Sequence, residues 1–145
     1  MAKVRQRNVE KMRLDENKLY LEDIRLVAGL PLPWEKFQHK SILISGGTGL
    51  IGSFLVDVLM EHNQNRNMDC DIYILGRSEG KAESRFGYCW NDSRFHFILH
   101  DINKPLKSGK IPDIDYVVHL ASNTHPIKYA ADPIGTITAN IIGIQ

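Results

Sequence analysis

The chain has 145 residues, 43% of them hydrophobic and 24% charged, and a formal net charge of +1. This is the composition of a globular protein long enough for one domain with a core. Its balanced charge predicts no nucleic-acid partner, and no apolar run approaches the roughly 20 residues of a membrane span, so no membrane partner is expected either.

The first 13 residues are locally basic. Their cationic side chains are Lys3, Arg5, Arg7, Lys11 and Arg13. No apolar segment follows them, so they do not form a secretory signal, and a cytoplasmic location is expected. A solvated, loosely ordered terminus accounts for this tail, with a nucleic-acid-binding arm as the alternative.

The two cysteines, Cys70 and Cys89, lie in different segments and form no C-x-x-C pair. This spacing argues against a disulfide framework or a zinc site. We expect no metal site. We expect the two thiols to be buried or to have no role.

Residues 1–40 have the pattern of an appended helix and a linker. Apolar residues recur at the spacing of a helix with one apolar face: Tyr20, Ile24, Val27 and Ala28. Gly29 ends this pattern, and Pro31 and Pro33 then require an extended chain.

From Ser41 onward, short β-branched and aromatic runs alternate with other stretches, which is typical of βαβ units and a parallel sheet. The predicted strands are 42–45, 71–75, 95–99 and 116–120. Apolar periodicity predicts a helix over residues 50–62, and Asp132-Pro133 marks the start of another. Residues 76–94 form either a short helix or a loop.

The predicted fold class is therefore α/β, a Rossmann-type doubly wound parallel sheet in residues 41–145, with the N-terminal helical extension before it. About four strands leave the sheet incomplete, since such sheets usually have about six. Either the protein is truncated or another element covers the open edge, and truncation is favoured.

A glycine-rich loop directly follows the first strand and precedes the first crossover helix. Its residues are Gly46, Gly47, Thr48, Gly49, Leu50, Ile51 and Gly52. Such a loop brings backbone N–H groups and a helix N-terminus against a pyrophosphate. Gly47, Gly49 and Gly52 fit G-x-G-x-x-G, whereas Gly46, Gly49 and Gly52 fit G-x-x-G-x-x-G. We predict dinucleotide binding; the alternative is a structural glycine turn.

The second strand ends in Gly76, Arg77 and Ser78, where an acidic residue would normally bind the adenosine ribose of NAD. An arginine beside a hydroxyl can instead hold a 2′-phosphate through charge-assisted bonds. NADP is therefore the favoured cofactor, with NAD possible. The alternative is that Arg77 is a solvated loop residue.

Further candidates follow the third and fourth strands, where ligands of open α/β sheets bind. Asp101 is placed to accept from the adenine amino group, with Ile102 against the ring, although an Asp after a strand is more often a loop residue. His119 lies in an apolar run, which is more typical of a packed histidine than of a catalyst.

Together these motifs resemble the extended short-chain dehydrogenases, the NAD-dependent epimerase/dehydratase family, over roughly residues 40–145. Gly46, Gly49 and Gly52 match that family's glycine loop, with Ser45 where Thr is commoner. Asp101-Ile102 resembles its adenine-binding pair. The remaining matches are the His119 segment with Leu120, Ala121 and Ser122, then Asn123-Thr124-His125, then Tyr129, Asp132-Pro133 and Asn140.

The resemblance implies a cytoplasmic epimerase, dehydratase or decarboxylase of a nucleotide sugar, working by transient hydride transfer to the nicotinamide. It assigns cofactor-proximal roles to Leu120, Ala121, Ser122, Thr124 and Asn140, and it allows a homodimer. The family's catalytic Tyr-x-x-x-Lys is not present, because none of the five tyrosines has Lys four residues later. No catalytic residue is therefore assigned, and the chain alone is expected to be inactive.

Two alternatives are open. One is a non-catalytic NADP-binding sensor or scaffold domain. The other is a reductase of a non-sugar carbonyl substrate, because relatives with the same cofactor half act on such compounds.

Overall fold

The structure, a computed structural model, describes residues 16–106, 109, 111–122 and 130–141. The basic tail therefore lies outside the described residues. The described elements are α1 (Lys18–Ala28), a 3₁₀ helix (Trp34–Phe37), β1 (Ser41–Ser45), α2 (Leu50–Arg66), β2 (Asp71–Gly76), α3 (Glu79–Phe86), β3 (Phe95–Leu99), β4 (Tyr116–His119) and α4 (Pro133–Ile141). None of these helices is long and apolar enough to cross a membrane.

The four described strands form one parallel sheet in the order β3-β2-β1-β4. This order places β1 in the centre, with Ser45 level with Leu75 of β2 and with His119 of β4. The carboxyl ends of the strands thus meet at one edge. The predicted Rossmann-type α/β fold with its N-terminal helix is confirmed, and each strand lies within one residue of its predicted bounds.

One face of the sheet carries the main core. Alternate residues of β1 and β2 point to this face, as the two-residue period of a strand requires. They pack against α2 and α3, and the fully buried side chains include Ile42, Ile44, Ile72, Ile74, Val56, Leu59, Met60 and Phe86. Burial of these aliphatic and aromatic groups, at about 25 cal/mol per Å² of apolar surface, holds the helices on the sheet.

Helix α2 begins at the predicted residue but ends at Arg66 instead of residue 62. It ends where Asn67 takes up a left-handed conformation, with φ of 52°, and its N–H donates to His62 O. The last turn is polar, so apolar periodicity gives no sign of it. Asn63 in this turn bonds both backbone groups of Cys70 through its side-chain amide.

The ambiguous stretch 76–94 contains a short helix, α3, followed by turns. Ser78 caps the helix by accepting from Lys81 N at 3.3 Å. Only two of its side chains, Ala82 and Phe86, are buried. Two apolar positions give too weak a period for a prediction from sequence.

The N-terminal extension packs on α2. Ile24 and Ala28 of α1 are buried against Val58, at the spacing that the sequence predicts. The linker after Gly29 is non-helical only as far as Pro33, and the 3₁₀ helix that follows is not predicted. In that 3₁₀ helix, Trp34 donates its indole N–H to Leu30 O at 2.9 Å.

Candidate functional site

The loops that follow the four strands enclose a cleft of about 550 Å³ at the carboxyl edge of the sheet. This volume lies within the range of small-molecule and cofactor sites. Residues from every strand end line it: Gly46, Thr48, Gly49, Leu50, Ile51, Gly52, Leu75, Gly76, Arg77, Lys81, His100, Asp101, Ile102, Asn103, Leu120, Ala121, Ser122, Asp132, Gly135 and Ala139. Most of the predicted site residues are thus brought together.

The glycine loop is so tight that side chains are excluded from two of its positions. Gly46 has a φ of 72°, and a Cβ there would lie 2.7 Å from the backbone of Leu120 and Ala121. A Cβ on Gly52 would lie 2.5 Å from Gly46 O. The loop therefore needs glycine at both positions to close against the end of β4.

The two readings of the glycine pattern can be separated by position. Gly47 does not line the cleft, and a Cβ there would meet the Ile74 side chain at 2.6 Å. It allows close packing against β2. Gly46, Gly49 and Gly52 all line the cleft, so the geometry favours the G-x-x-G-x-x-G reading.

Helix α2 points its N-terminus into the cleft. Gly49 is its N-cap residue and has no side chain to accept from the first-turn N–H groups. The backbone donors of this turn and the helix dipole together favour an anion at this position. The 17-residue length of α2 supplies a full row of aligned peptide dipoles behind it.

At the end of β2, Gly76 and Arg77 line the cleft, but Ser78 does not. Ser78 instead caps α3. Gly76 is needed because a Cβ would lie 2.9 Å from the Phe97 ring. Lys81 also lines the cleft, and sequence reasoning missed it. The signal that could have found it is Ser78, a typical N-cap residue, which places Lys81 in the first turn of a helix that starts directly after Arg77.

After β3, Asp101 and Ile102 line the cleft together with Asn103. Asp101 Oδ1 accepts from both the backbone and the side-chain N–H of Asn103, at 3.1 Å each. These bonds, with the nearby charges of Arg77 and Lys104, hold the pKa of Asp101 below its ordinary value. The carboxylate is therefore ionised and can accept a hydrogen bond from a ligand.

The end of β4 is tied to the end of β1. His119 Nδ1 lies 2.9 Å from Ser45 Oγ, which also accepts from Leu120 N and Ala121 N at 3.3 and 3.4 Å. His119 does not line the cleft, and this placement favours its interpretation as a packed histidine. Leu120, Ala121 and Ser122 then form the cleft wall.

Helix α4 completes the cleft with Asp132, Gly135 and Ala139. Asn140 does not line it. Its side-chain amide donates to Ser122 Oγ at 3.1 Å and to Thr136 O at 2.7 Å, so it holds a cleft residue in place. Thr124, with the neighbouring Asn123, His125 and Tyr129, lies outside the described residues.

Chemically, the cleft combines backbone donors, two cations and two carboxylates, Asp101 and Asp132. Arg77 and Lys81 stand on one side of the glycine loop and Asp101 follows the next strand. Within the described ranges, no group of three or more His, Cys, Asp or Glu side chains could hold a metal ion. The arrangement suits an elongated ligand with phosphates at its middle and a polar base at one end.

Known proteins resemble this chain in sequence. The NAD dependent epimerase/dehydratase family model matches residues 42–145. UDP-glucuronic acid decarboxylase 5 of Arabidopsis thaliana is 40% identical over 115 residues, which are 78% of this chain and 31% of that protein. UDP-glucuronic acid decarboxylase 1 of Danio rerio is 36% identical over 105 residues, 72% of this chain and 23% of that protein. The chain thus spans about a third of the length of these relatives or less.

Solved structures share the fold. Pen from Bacillus thuringiensis is 26% identical with a TM-score of 0.56, over 74% of this chain and 32% of that one. The dTDP-glucose 4,6-dehydratase DesIV from Streptomyces venezuelae, described with NAD and TYD bound, is 23% identical with a TM-score of 0.55, over 71% of this chain and 33% of that one. With the family match over residues 42–145, the chain belongs to the NAD-dependent epimerase/dehydratase family.

Proposed function

We propose that the cleft binds a dinucleotide, with the pyrophosphate on the glycine loop and the N-terminus of α2. The observation that carries this proposal is the close approach of Gly46 and Gly52 in front of that helix. In this closed loop, backbone N–H groups and the N-terminus of α2 would lie directly against a pyrophosphate in the cleft. The residues proposed to hold the cofactor are those predicted from sequence: Gly46, Gly47, Thr48, Gly49, Leu50, Ile51, Gly52, Gly76, Arg77, Ser78, Asp101, Ile102, Leu120, Ala121, Ser122, Thr124 and Asn140.

Three of these residues have indirect roles in the proposal. Gly47 packs on β2, Ser78 caps α3 and Asn140 holds Ser122. Each supports a cleft residue without lining the cleft itself. Substitutions at these three positions would therefore weaken binding by displacing their neighbours.

The proposed cofactor is NADP, with NAD as the runner-up. The support for NADP is that Gly76 and Arg77 replace the usual acid at the end of β2, and that Lys81 adds a second cation to the same wall. Two cations would neutralise the charge of a 2′-phosphate. The support for NAD is that DesIV is described with NAD bound.

The proposed reaction of the full-length protein is a modification of a nucleotide sugar. When bound, the nicotinamide would accept a hydride from the sugar and later return it. The residues of this chain would bind and orient the cofactor through the glycine loop and the four strand ends. The acid–base pair, which is the tyrosine and lysine of the family's Tyr-x-x-x-Lys motif, would lie outside residues 1–145. No tyrosine within these residues has Lys four positions later.

The proposed substrate class is a nucleotide sugar, and UDP-glucuronic acid is the first compound to test. The support is that relatives 40% and 36% identical to this chain are UDP-glucuronic acid decarboxylases. The alternatives are a non-catalytic sensor or scaffold and a reductase of a non-sugar carbonyl. Both keep the dinucleotide site and differ only in what the rest of the protein does.

The test is isothermal titration of the 145-residue chain with NADP and with NAD, followed by a turnover assay of chain and full-length protein with UDP-glucuronic acid. We expect binding by the chain and turnover only by the full-length protein. Absence of binding would overturn the cofactor proposal. Turnover by the chain alone would overturn the proposed location of the acid–base pair.

Two further properties stay predictions. A homodimer of the full-length protein would be detected by sedimentation analysis. The other is the cytoplasmic location of the protein. Cys70 and Cys89 are free and buried. Burial raises the pKa of each thiol to about 12, so a thiol reagent should label neither in the folded chain.

A further inference from the structure

Four polar side chains meet around a buried carboxylate on α2, and the dinucleotide function does not use them. The cluster consists of Tyr20, Asp57, Arg85 and Tyr88. Asp57 is only 5% exposed. A buried carboxylate is costly unless it is paired and hydrogen-bonded.

The partners of Asp57 come from two other parts of the chain. Tyr20 OH of α1 donates to Asp57 Oδ2 at 2.6 Å, and Tyr88 OH, beyond α3, donates to Oδ1 at 2.7 Å. Arg85 of α3 binds both carboxylate oxygens with its two terminal nitrogens. One carboxylate on α2 thus binds α1 on one side and the end of α3 with its following turn on the other.

The Tyr20 hydroxyl has two roles in this cluster. It donates to Asp57 and accepts from Arg85 Nη2 at 2.8 Å. Burial, together with the hydrogen bond to Asp57, raises the pKa of Tyr20, so the hydroxyl stays protonated. Arg85 Nε has no acceptor among the described residues, so Asp57 and Tyr20 hold the guanidinium there.

The cluster connects the two helices that open into the cleft. Helix α2 starts at the glycine loop and carries Asp57 about two turns further on. Helix α3 starts beside Arg77, carries Lys81 in its first turn and reaches the cluster with Arg85 one turn later. The Asp57–Arg85 pair therefore ties α3, which carries Lys81, to α2, which starts at the glycine loop.

We propose that the N-terminal helix α1 sets the dinucleotide affinity of the cleft, with Tyr20 as the positioning residue that holds α2 and α3 at their binding angle. The proposal rests on the proposed dinucleotide function of the cleft. By linkage, the coupling is reciprocal: dinucleotide binding strengthens the docking of α1 as much as docked α1 strengthens dinucleotide binding.

The Tyr20→Phe variant separates this role from packing. It keeps the aromatic ring, which meets Phe54 edge-on at 5.7 Å, and removes only the hydroxyl. We expect the dissociation constant for NADP to rise about two- to tenfold, the equivalent of one hydrogen bond. The matched control is Leu26→Ala on the same helix, since Leu26 is 68% exposed and its side chain lies away from the cluster.

A second measurement uses the unaltered chain and so does not depend on the variant's folding. Amide hydrogen exchange of residues 21–28 is followed with and without saturating NADP, under conditions that report opening of α1 alone. We expect the dinucleotide to slow exchange in the unaltered chain. In Tyr20→Phe, the slowing should be smaller by the same factor as the loss of affinity.

The outcomes are distinct. Equal affinity of Tyr20→Phe and the unaltered chain would overturn the positioning role and leave the cofactor proposal intact. An equal loss of NADP affinity in Tyr20→Phe and Leu26→Ala would show that any disturbance of α1 weakens binding. This result would also overturn the positioning role of Tyr20. Amide hydrogen exchange of α1 that is unchanged by NADP would likewise overturn the positioning role. No binding of NADP or NAD by the unaltered chain would overturn both proposals.

Discussion

Gly52 and Gly46 approach each other so closely that a Cβ on Gly52 would lie 2.5 Å from Gly46 O. The obstacle is backbone and cannot rotate away. Gly52→Ala should therefore destabilise the fold by about 1–3 kcal/mol, the usual cost of overpacking, and abolish measurable dinucleotide binding. Urea unfolding and titration with NADP measure the two effects.

Gly80→Ala is the matched control for Gly52→Ala. A Cβ at Gly80 meets nothing within 4 Å, and the residue lies in the first turn of α3. Alanine should stabilise the helix by up to about 1 kcal/mol. A Gly52→Ala protein as stable as the Gly80→Ala protein would contradict the tight loop.

At Gly49 we expect a different result because its surroundings are less crowded than those of Gly52. Its backbone is extended, with φ of −77° and ψ of 175°, and a Cβ would meet only Gly46 O, at 3.2 Å. Gly49→Val should therefore cost less stability than Gly52→Ala, while its side chain occupies the proposed pyrophosphate site. We expect at least a tenfold loss of NADP affinity by titration. Unchanged affinity would show that phosphates bind elsewhere.

Because of the buried His62, we expect the folded chain to lose stability in mild acid. It is 3% exposed and packs against Trp34, with ring centroids 4.1 Å apart and the ring planes tilted by 35°. Burial, and after it the charge of Arg66, lowers the pKa of His62. The unfolded chain therefore binds this proton first, so the free energy of unfolding falls as pH drops below about 6.5, by at most about 1.4 kcal/mol per unit for one proton.

The measurement for His62 is urea unfolding between pH 7.5 and 5, with the His62→Gln variant beside the unaltered chain. Glutamine has no titrating group, so the variant should show a flatter dependence over that window. Equal slopes for the two proteins would exclude His62 as the cause. The fluorescence of Trp34 reports whether the linker leaves α2 in acid.

The sequence allowed the strands and the glycine loop to be predicted because both depend on local patterns. Ile42 to Ile44 form a short apolar, mostly β-branched run, and Gly46 to Gly52 stand between a strand and a helix. Asp101 and Arg77 could be placed in one cleft because parallel strands end at one edge. These features require only the order of residues along the chain.

Contacts between distant segments could not be predicted in this way. Asp57 looks in the sequence like any polar residue on a helix, and Tyr20 like part of an apolar stripe. Their bond joins residues 37 positions apart and has no periodic signature. Lys81 was missed for a related reason, since its place in the cleft depends on where α3 begins.

We predict that Arg77 determines the preference for NADP over NAD. A guanidinium can meet a 2′-phosphate with two parallel hydrogen bonds, and a bond of this kind contributes about 1.5–3 kcal/mol. At roughly 1.4 kcal/mol per tenfold, NADP should bind about ten- to a hundredfold more tightly than NAD. Arg77→Ala should remove most of this preference and leave NAD affinity nearly unchanged, because NAD has no phosphate at that position.

The controls separate a specific contact from general charge. Arg25→Ala removes a cation from the exposed side of α1 and should leave both affinities unchanged. Lys81→Ala should lower NADP affinity less than Arg77→Ala does, because an ammonium makes a single point contact. If Arg77 instead stacks on adenine, Arg77→Ala weakens both cofactors alike. Titration of each variant with NADP and NAD distinguishes these results, and an equal loss for the two cofactors would rule out the 2′-phosphate role.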